Sequence, residues 1–226
     1  MPGRPFAVGL SFFAALVLAC AAGVFCPVAV LAAADVAIES IDRDSVSFRR
    51  AMQLKAWIAD SERCGGLDAY RPVLFVRGRM NGLPVFLYRF QPPDSPVRRF
   101  HGPHLSLLLD EQGNLRGMAR VDPSLAGKPA VDRDLARKTA RRFIERYAPD
   151  LAPSLPSERL RAFPLRIAPS SGDVVIDGVM AKYRNRDDGR YFFVIVAPDG
   201  RPMIFDRAGE RWLYDDWLEE RLRGLP

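Results

Sequence analysis

The chain has 226 residues, 48% of them hydrophobic and 27% charged, with a formal net charge of +6. That length holds one large domain or two small ones with an ample core. The charge excess is mild and nearly all arginine, 29 Arg against four Lys, which suits carboxylate or phosphate contacts or reflects codon bias; a nucleic-acid partner is not expected because the chain reads as exported.

Residues 1–34 carry one charged side chain, Arg4, and are otherwise apolar or small from Phe6 to Ala34. With Ala32-Ala33-Ala34 before Asp35 they read as a secretory signal, cleaved after Ala34. The apolar stretch is long enough to span a membrane, so a retained N-terminal anchor is the alternative. A lipoprotein reading, on Val17-Leu18-Ala19 before Cys20, suffers from Leu18 at a poor place. All three readings put the rest outside the cytoplasm, with a periplasmic location expected. Cys20 and Cys26 fall in the leader. Cys64 is then the mature chain's lone thiol, no internal disulfide can form, and the core must supply stability.

After a short extended lead-in, helical spacing of Phe48, Ala51, Met52, Lys55 and Ile58 predicts a helix over 45–60, capped by Ser45 or Ser47. Cys64-Gly65-Gly66 reads as a loop. Residues 73–76 and 85–88 flank Asn81-Gly82, the signature of a tight hairpin. A Pro-rich loop, 91–103, precedes a second hairpin, 105–109 and 115–121, turning at 110–114.

The strongest helix signal runs over 132–147. Leu135, Ala136, Thr139, Ala140, Phe143, Ile144 and Tyr147 form its stripe, Asp132 and Asp134 suit its start, and Pro149 marks its end. Its other face carries Arg133, Arg137, Lys138, Arg141, Arg142 and Arg146, read mainly as a solvated polar face. Strands are expected at 158–167, 174–184, 190–197 and 201–206, then a short amphipathic helix over 212–222. The pattern of helix, strands and Gly turn occurs twice. Gly113 and Gly200 stand 87 residues apart, as do Phe48 and Leu135. The fold class expected is α+β, two tandem units of a helix on an antiparallel sheet, over 35–126 and 127–226.

Residues 110–149, DEQGNLRGMARVDPSLAGKPAVDRDLARKTARRFIERYAP, give strand, acidic Gly turn, strand, and a helix with Ala136, Ala140 and Phe143 before a Pro. Together with YFFVIVAPDGRPMIF (191–205) this resembles the PepSY-like family, especially its tandem extracytoplasmic relatives of the YcdB/YcdC repeat type. The resemblance covers about residues 45–207 and implies an exported, non-catalytic module that binds or inhibits a protein or peptide partner, envelope peptidases among them. It brings no catalytic set and no cofactor.

His101 and His104 could share a metal, but such a site needs further ligands, and Asp94 and Asp110 are near only in sequence. A periplasmic metal-binding protein or hydrolase built on that loop is one rival reading. A structural envelope protein on a retained anchor, with membrane contact through it alone, is another. Arg98, Arg99 and Phe100 form a basic-aromatic loop that could meet an acidic partner, as could Arg137 and Arg141. The carboxylate pairs Asp187-Asp188, Asp215-Asp216 and Glu219-Glu220 are neighbours in sequence, unlike the differing environments that acid–base pairs need. No nucleophile elbow, zinc-protease, phosphate-loop or paired-Cys motif occurs.

Overall fold

The structure, a computed structural model, describes residues 37–38, 42–62, 64, 66–80, 82–95, 102–167 and 174–207. The leader, the tail helix expected over 212–222, and Arg98, Arg99, Phe100 and His101 lie outside these residues. No helix among the described residues is long and apolar enough to cross a membrane.

Helix α1 (Val46–Ser61) starts at Ser45, whose hydroxyl accepts the Phe48 N–H at 3.2 Å. It buries Phe48, Ala51, Leu54, Lys55, Ile58 and Ala59. Lys55 sits inside because its Nζ donates to the Asp68 carbonyl at 3.0 Å; burial still lowers its pKa, with Asp68 opposing. Helix α2 (Arg133–Tyr147) starts at Asp132, whose carboxylate accepts the N–H groups of Asp134 and Leu135. It buries Ala136, Thr139, Ala140, Phe143, Ile144 and Tyr147. Leu135 does not join that stripe: it is 47% exposed and lies against Gly200, whose added Cβ would stand 3.2 Å from Leu135 Cδ2. The link after Pro149 is itself ordered, as 3-10 turns over 149–157.

Among the described residues, nine strands form one antiparallel sheet: β1 (Ala37–Ile38), β2 (Arg71–Met80), β3 (Leu83–Gln91), β4 (His104–Asp110), β5 (Leu115–Val121), β6 (Arg159–Ile167), β7 (Val174–Arg184), β8 (Tyr191–Val196) and β9 (Pro202–Asp206). The order across the sheet is β1-β2-β3-β4-β5-β9-β8-β7-β6. Strands β2 to β5 meander from one edge inward and β6 to β9 from the other, meeting where β5 pairs with β9. The β2–β3 connection is the two-residue turn expected, with Met80 opposite Leu83 and Gly82 at φ +79°. The fold is thus α+β, and the described residues form one compact unit.

Both helices pack on one face. There α1 meets β3 and β4, α2 meets β7, β8 and β9, and a single apolar cluster joins Ile58, Tyr88, Leu107, Phe143, Tyr183 and Phe205. The opposite face is apolar too, with Leu87, Leu108, Ala119, Ile195, Met203 and Ile204 in a second cluster with Leu125.

Candidate functional site

The groups singled out in the sequence divide sharply. His104 opens β4 and is fully buried, its Nδ1 2.8 Å from the Gly102 carbonyl. A carbonyl only accepts, so Nδ1 carries the proton. No group of three or more metal-binding side chains exists among the described residues. Asp110 is occupied in its own turn, accepting the N–H groups of Gln112 and Asn114.

Cys64 is not in an exposed loop. It is 2% exposed, its N–H donates to the Ala59 carbonyl, and its Sγ lies 3.7 Å from the Glu62 carbonyl. Burial pushes the thiol pKa up, so it is held as the unreactive thiol. Beside it the Glu62 side chain has no exposure; its Oε2 takes a hydrogen bond from Arg142 at 2.7 Å.

The basic face of α2 is tied down. Arg137 and Arg141 both reach Glu158, at 2.6 and 3.3 Å, and the Tyr183 hydroxyl donates to the same carboxylate at 3.1 Å. Burial, then the Glu158 charge, drives the Tyr183 pKa up. Arg133 donates to the Leu160 carbonyl at 2.8 Å. These arginines remain solvated, Arg137 and Arg141 at 42% and 43% side-chain exposure, and in addition tie α2 to β6 and to the 3-10 segment before it. At the β5–β9 seam, buried Arg120 pairs with Asp199 at 2.9 Å and donates to the Pro202 carbonyl.

One charged surface is left unspent. On the face opposite the helices, Arg159 faces Lys182 across β6 and β7, Arg161 faces Met180, and Arg184 faces Tyr191 across β7 and β8. Side chains two apart on a strand share a face, so all four cations and Tyr191 lie together. Arg159, Arg161 and Arg184 are exposed and Tyr191 is 47% exposed. Lys182 Nζ stands 3.8 Å over the Tyr191 ring, Arg161 Nε faces the Met180 sulfur, and Arg184 Nε donates to the Gly189 carbonyl. Among the described residues, none of the four cations meets a carboxylate. Sequence reasoning passed over them, although the signal is there: R-L-R at 159–161 and K-Y-R at 182–184 alternate cation and apolar residue within expected strands.

The free edge of the sheet is guarded. Pro164 in β6 has no N–H, so it occupies a position that does not bond to β7, and its backbone faces outward. Leu160, of the same parity, also presents its carbonyl outward, where Arg133 takes it. One missing donor and one occupied acceptor blunt this edge against strand addition. Comparison with protein-family models, with curated proteins and with solved structures returned no match to the chain.

Proposed function

We propose that this is an exported, non-catalytic binding module of the bacterial cell envelope, built of two tandem PepSY-like units over 35–126 and 127–226. The observation that carries the tandem reading is one of register. The β4–β5 hairpin has an irregularity at Leu108/Leu109, and the β8–β9 hairpin has one at Ile195/Val196, each 87 residues on. Met118 and Phe205, also 87 apart, pair with each other at the seam, so the two hairpins meet about a local two-fold axis. The buried positions of α1 repeat in α2 at 85 residues, Ile58 matching Phe143, rather than at the 87 suggested by Phe48 and Leu135.

The binding reading is supported by how reactive groups are used. Glu62 ties the end of α1 to α2 through Arg142, Glu158 and Tyr183 tie α2 to the sheet, Asp199 holds the seam through Arg120, and Cys64 is buried with its sulfur on the Glu62 carbonyl. A protein or peptide partner fits an exposed cationic and aromatic surface on a rigid sheet. Export rests on the leader of residues 1–34.

The test is in-cell photocrosslinking of the full chain from an exposed sheet position, with a reporter that is active only outside the cytoplasm fused after Pro226. One saturable crosslinked partner and an active reporter are expected. An inactive reporter, or crosslinks to no protein, would reject the reading.

A further inference from the structure

We infer that the cationic face of β6, β7 and β8 is a docking surface for an acidic polypeptide segment, with Arg159, Arg161, Lys182 and Arg184 meeting its carboxylates and Tyr191 packing on its chain. This deepens the function proposed above and rests on its tandem reading. The pairings within each half relate β2 to β6 by 85 residues, β3 to β7 by 93 and β4 to β8 by 87. Arg159, Arg161, Lys182, Arg184 and Tyr191 then correspond to Leu74, Val76, Arg89, Gln91 and His104. In the first half four of these five positions are buried: Val76, Arg89, Gln91 and His104 are 3%, 3%, 1% and 0% exposed, and Leu74 is half-buried. The same surface of the second half is open. A face that is closed in one copy of a unit and open in the other is one the unit is shaped to have covered.

Charge says what covers it. Arg159 and Lys182 stand directly opposite one another, and like charges in that position destabilise a strand pair. An anionic partner converts that repulsion into attraction. Arginine suits bidentate contact with carboxylates, and the Lys182–Tyr191 stack fixes an aromatic surface beside them. Met180 and Phe193 on the same face are already covered, at 2% and 9% exposure, so the apolar surface offered beside the cations is the Tyr191 ring, 47% exposed. An acidic segment with apolar side chains matches both features, whereas a bare anion matches only one.

The experiment uses the full chain and a fluorescein-labelled peptide of ten glutamates, with anisotropy read at low and at 200 mM salt. Saturable binding is expected, weakening as salt screens the exposed charges. Arg159→Gln with Lys182→Gln should weaken it by about tenfold or more. Arg71→Gln with Arg166→Gln removes equal charge from other surfaces, Arg166 lying on the helix side of β6, and should change affinity by less than about twofold. Tyr191→Ala should weaken binding of the same peptide carrying two leucines more than that of the plain peptide. Absence of saturable binding would overturn the inference, as would equal losses in the two double variants. Binding to phosphatidylglycerol vesicles that the peptide does not displace would reassign the face to a membrane. Peptide binding seen only after removal of residues 208–226 would reassign it to the chain's own acidic tail. None of these readouts uses the reporter or the crosslink, so failure here and failure of the exported-binding reading stay distinct.

Discussion

The first half of the sheet, β2 to β5 with α1, and the second, β6 to β9 with α2, put the same backbone to different use. Opposite the helices, the first half buries Arg89 against Ser106, its Nε 3.0 Å from the Ser106 hydroxyl, with Gln91 and His104 nearby in sequence register. At matching places the second half exposes Arg159, Arg161, Arg184 and Tyr191. The difference teaches that backbone register can be kept while side chains change the fate of a face. Where a face is closed, its cations are buried with polar partners; where it is open, they meet no carboxylate among the described residues.

The helix side offers the sharpest way to break the comparison. On the proposed tandem reading Ile58 and Phe143 correspond, and Phe143 carries more: its ring meets Tyr147 at 4.8 Å and Phe205 at 5.4 Å between centroids. Phe143→Ala should cost about 3–5 kcal/mol, and Ile58→Ala about 2–5 kcal/mol. That is a large share of the ~5–15 kcal/mol that holds a domain together. Urea unfolding of both variants checks this. If Ile58→Ala proved much the more damaging, the correspondence of the helices would fail.

Next is Gly178, which on the proposed tandem reading corresponds to Val85 in the first half. A Cβ at 178 would stand 2.7 Å from Ile195 Cγ2 and 3.2 Å from the Val196 carbonyl oxygen, so this half has no room for what the other carries. Gly178→Ala should cost about 1–3 kcal/mol by overpacking, while Val85→Ala, which merely shortens a side chain, should behave as an ordinary truncation of two methyl groups. Thermal melts of the pair read the asymmetry.

Cys64 comes third and has no counterpart thiol in the second half. Because it is 2% exposed, Cys64→Ser places a hydroxyl where a weakly polar thiol sits. The cost should be about 1–3 kcal/mol, above the surface-like change that a loop thiol would give. In the native chain the thiol should resist a thiol-specific reagent until denaturant is added. Prompt labelling would show that the α1–β2 connection opens readily.

Much of this architecture was legible in the sequence because its signals are local. Ser45 and Asp132 mark helix starts, Gly82 a tight turn, and the apolar alternation of 174–184 a strand, and each element lies within a few residues of its expected place. What was not legible is non-local. Nothing in β5 or β9 alone says that Met118 will face Phe205, since that pairing depends on the rest of both meanders. Cys64 looked exposed because its neighbours Gly65 and Gly66 read as loop, while its burial comes from packing of the surrounding elements. Leu135 looked buried because helical spacing cannot tell where a stripe ends. The arginines of α2 are solvated as expected, but their pairing was not legible because Glu158 arrives from a different segment. The cationic face of β6 to β8 was overlooked because its members are spread over three strands, although each strand carries its own alternation.

The smallest expected effect separates the two helices by the chemistry of their caps. Ser45 caps α1 with a hydroxyl, whereas Asp132 caps α2 with a carboxylate that accepts two backbone N–H groups. Ser45→Ala should cost about 1 kcal/mol at any pH near neutrality, because a hydroxyl does not titrate there. Asp132 differs. Hydrogen bonds from the Leu135 and Asp134 N–H groups hold its pKa below the usual carboxylate value. A depressed folded-state pKa means stability that is present above the unfolded-state pKa and is lost as pH falls through the folded one. The contribution of Asp132 should therefore be complete at neutral pH and fade only under acid conditions, below the ordinary aspartate range. Asp132→Asn keeps an acceptor of the same shape without the charge. Its melting temperature should fall short of the parent's at pH 7 and converge on it in acid, while the deficit of Ser45→Ala stays constant over the same range. A deficit for Asp132→Asn that did not shrink in acid would mean that α2 draws its start from packing of Leu135 on the Gly200 turn rather than from the charge on its cap.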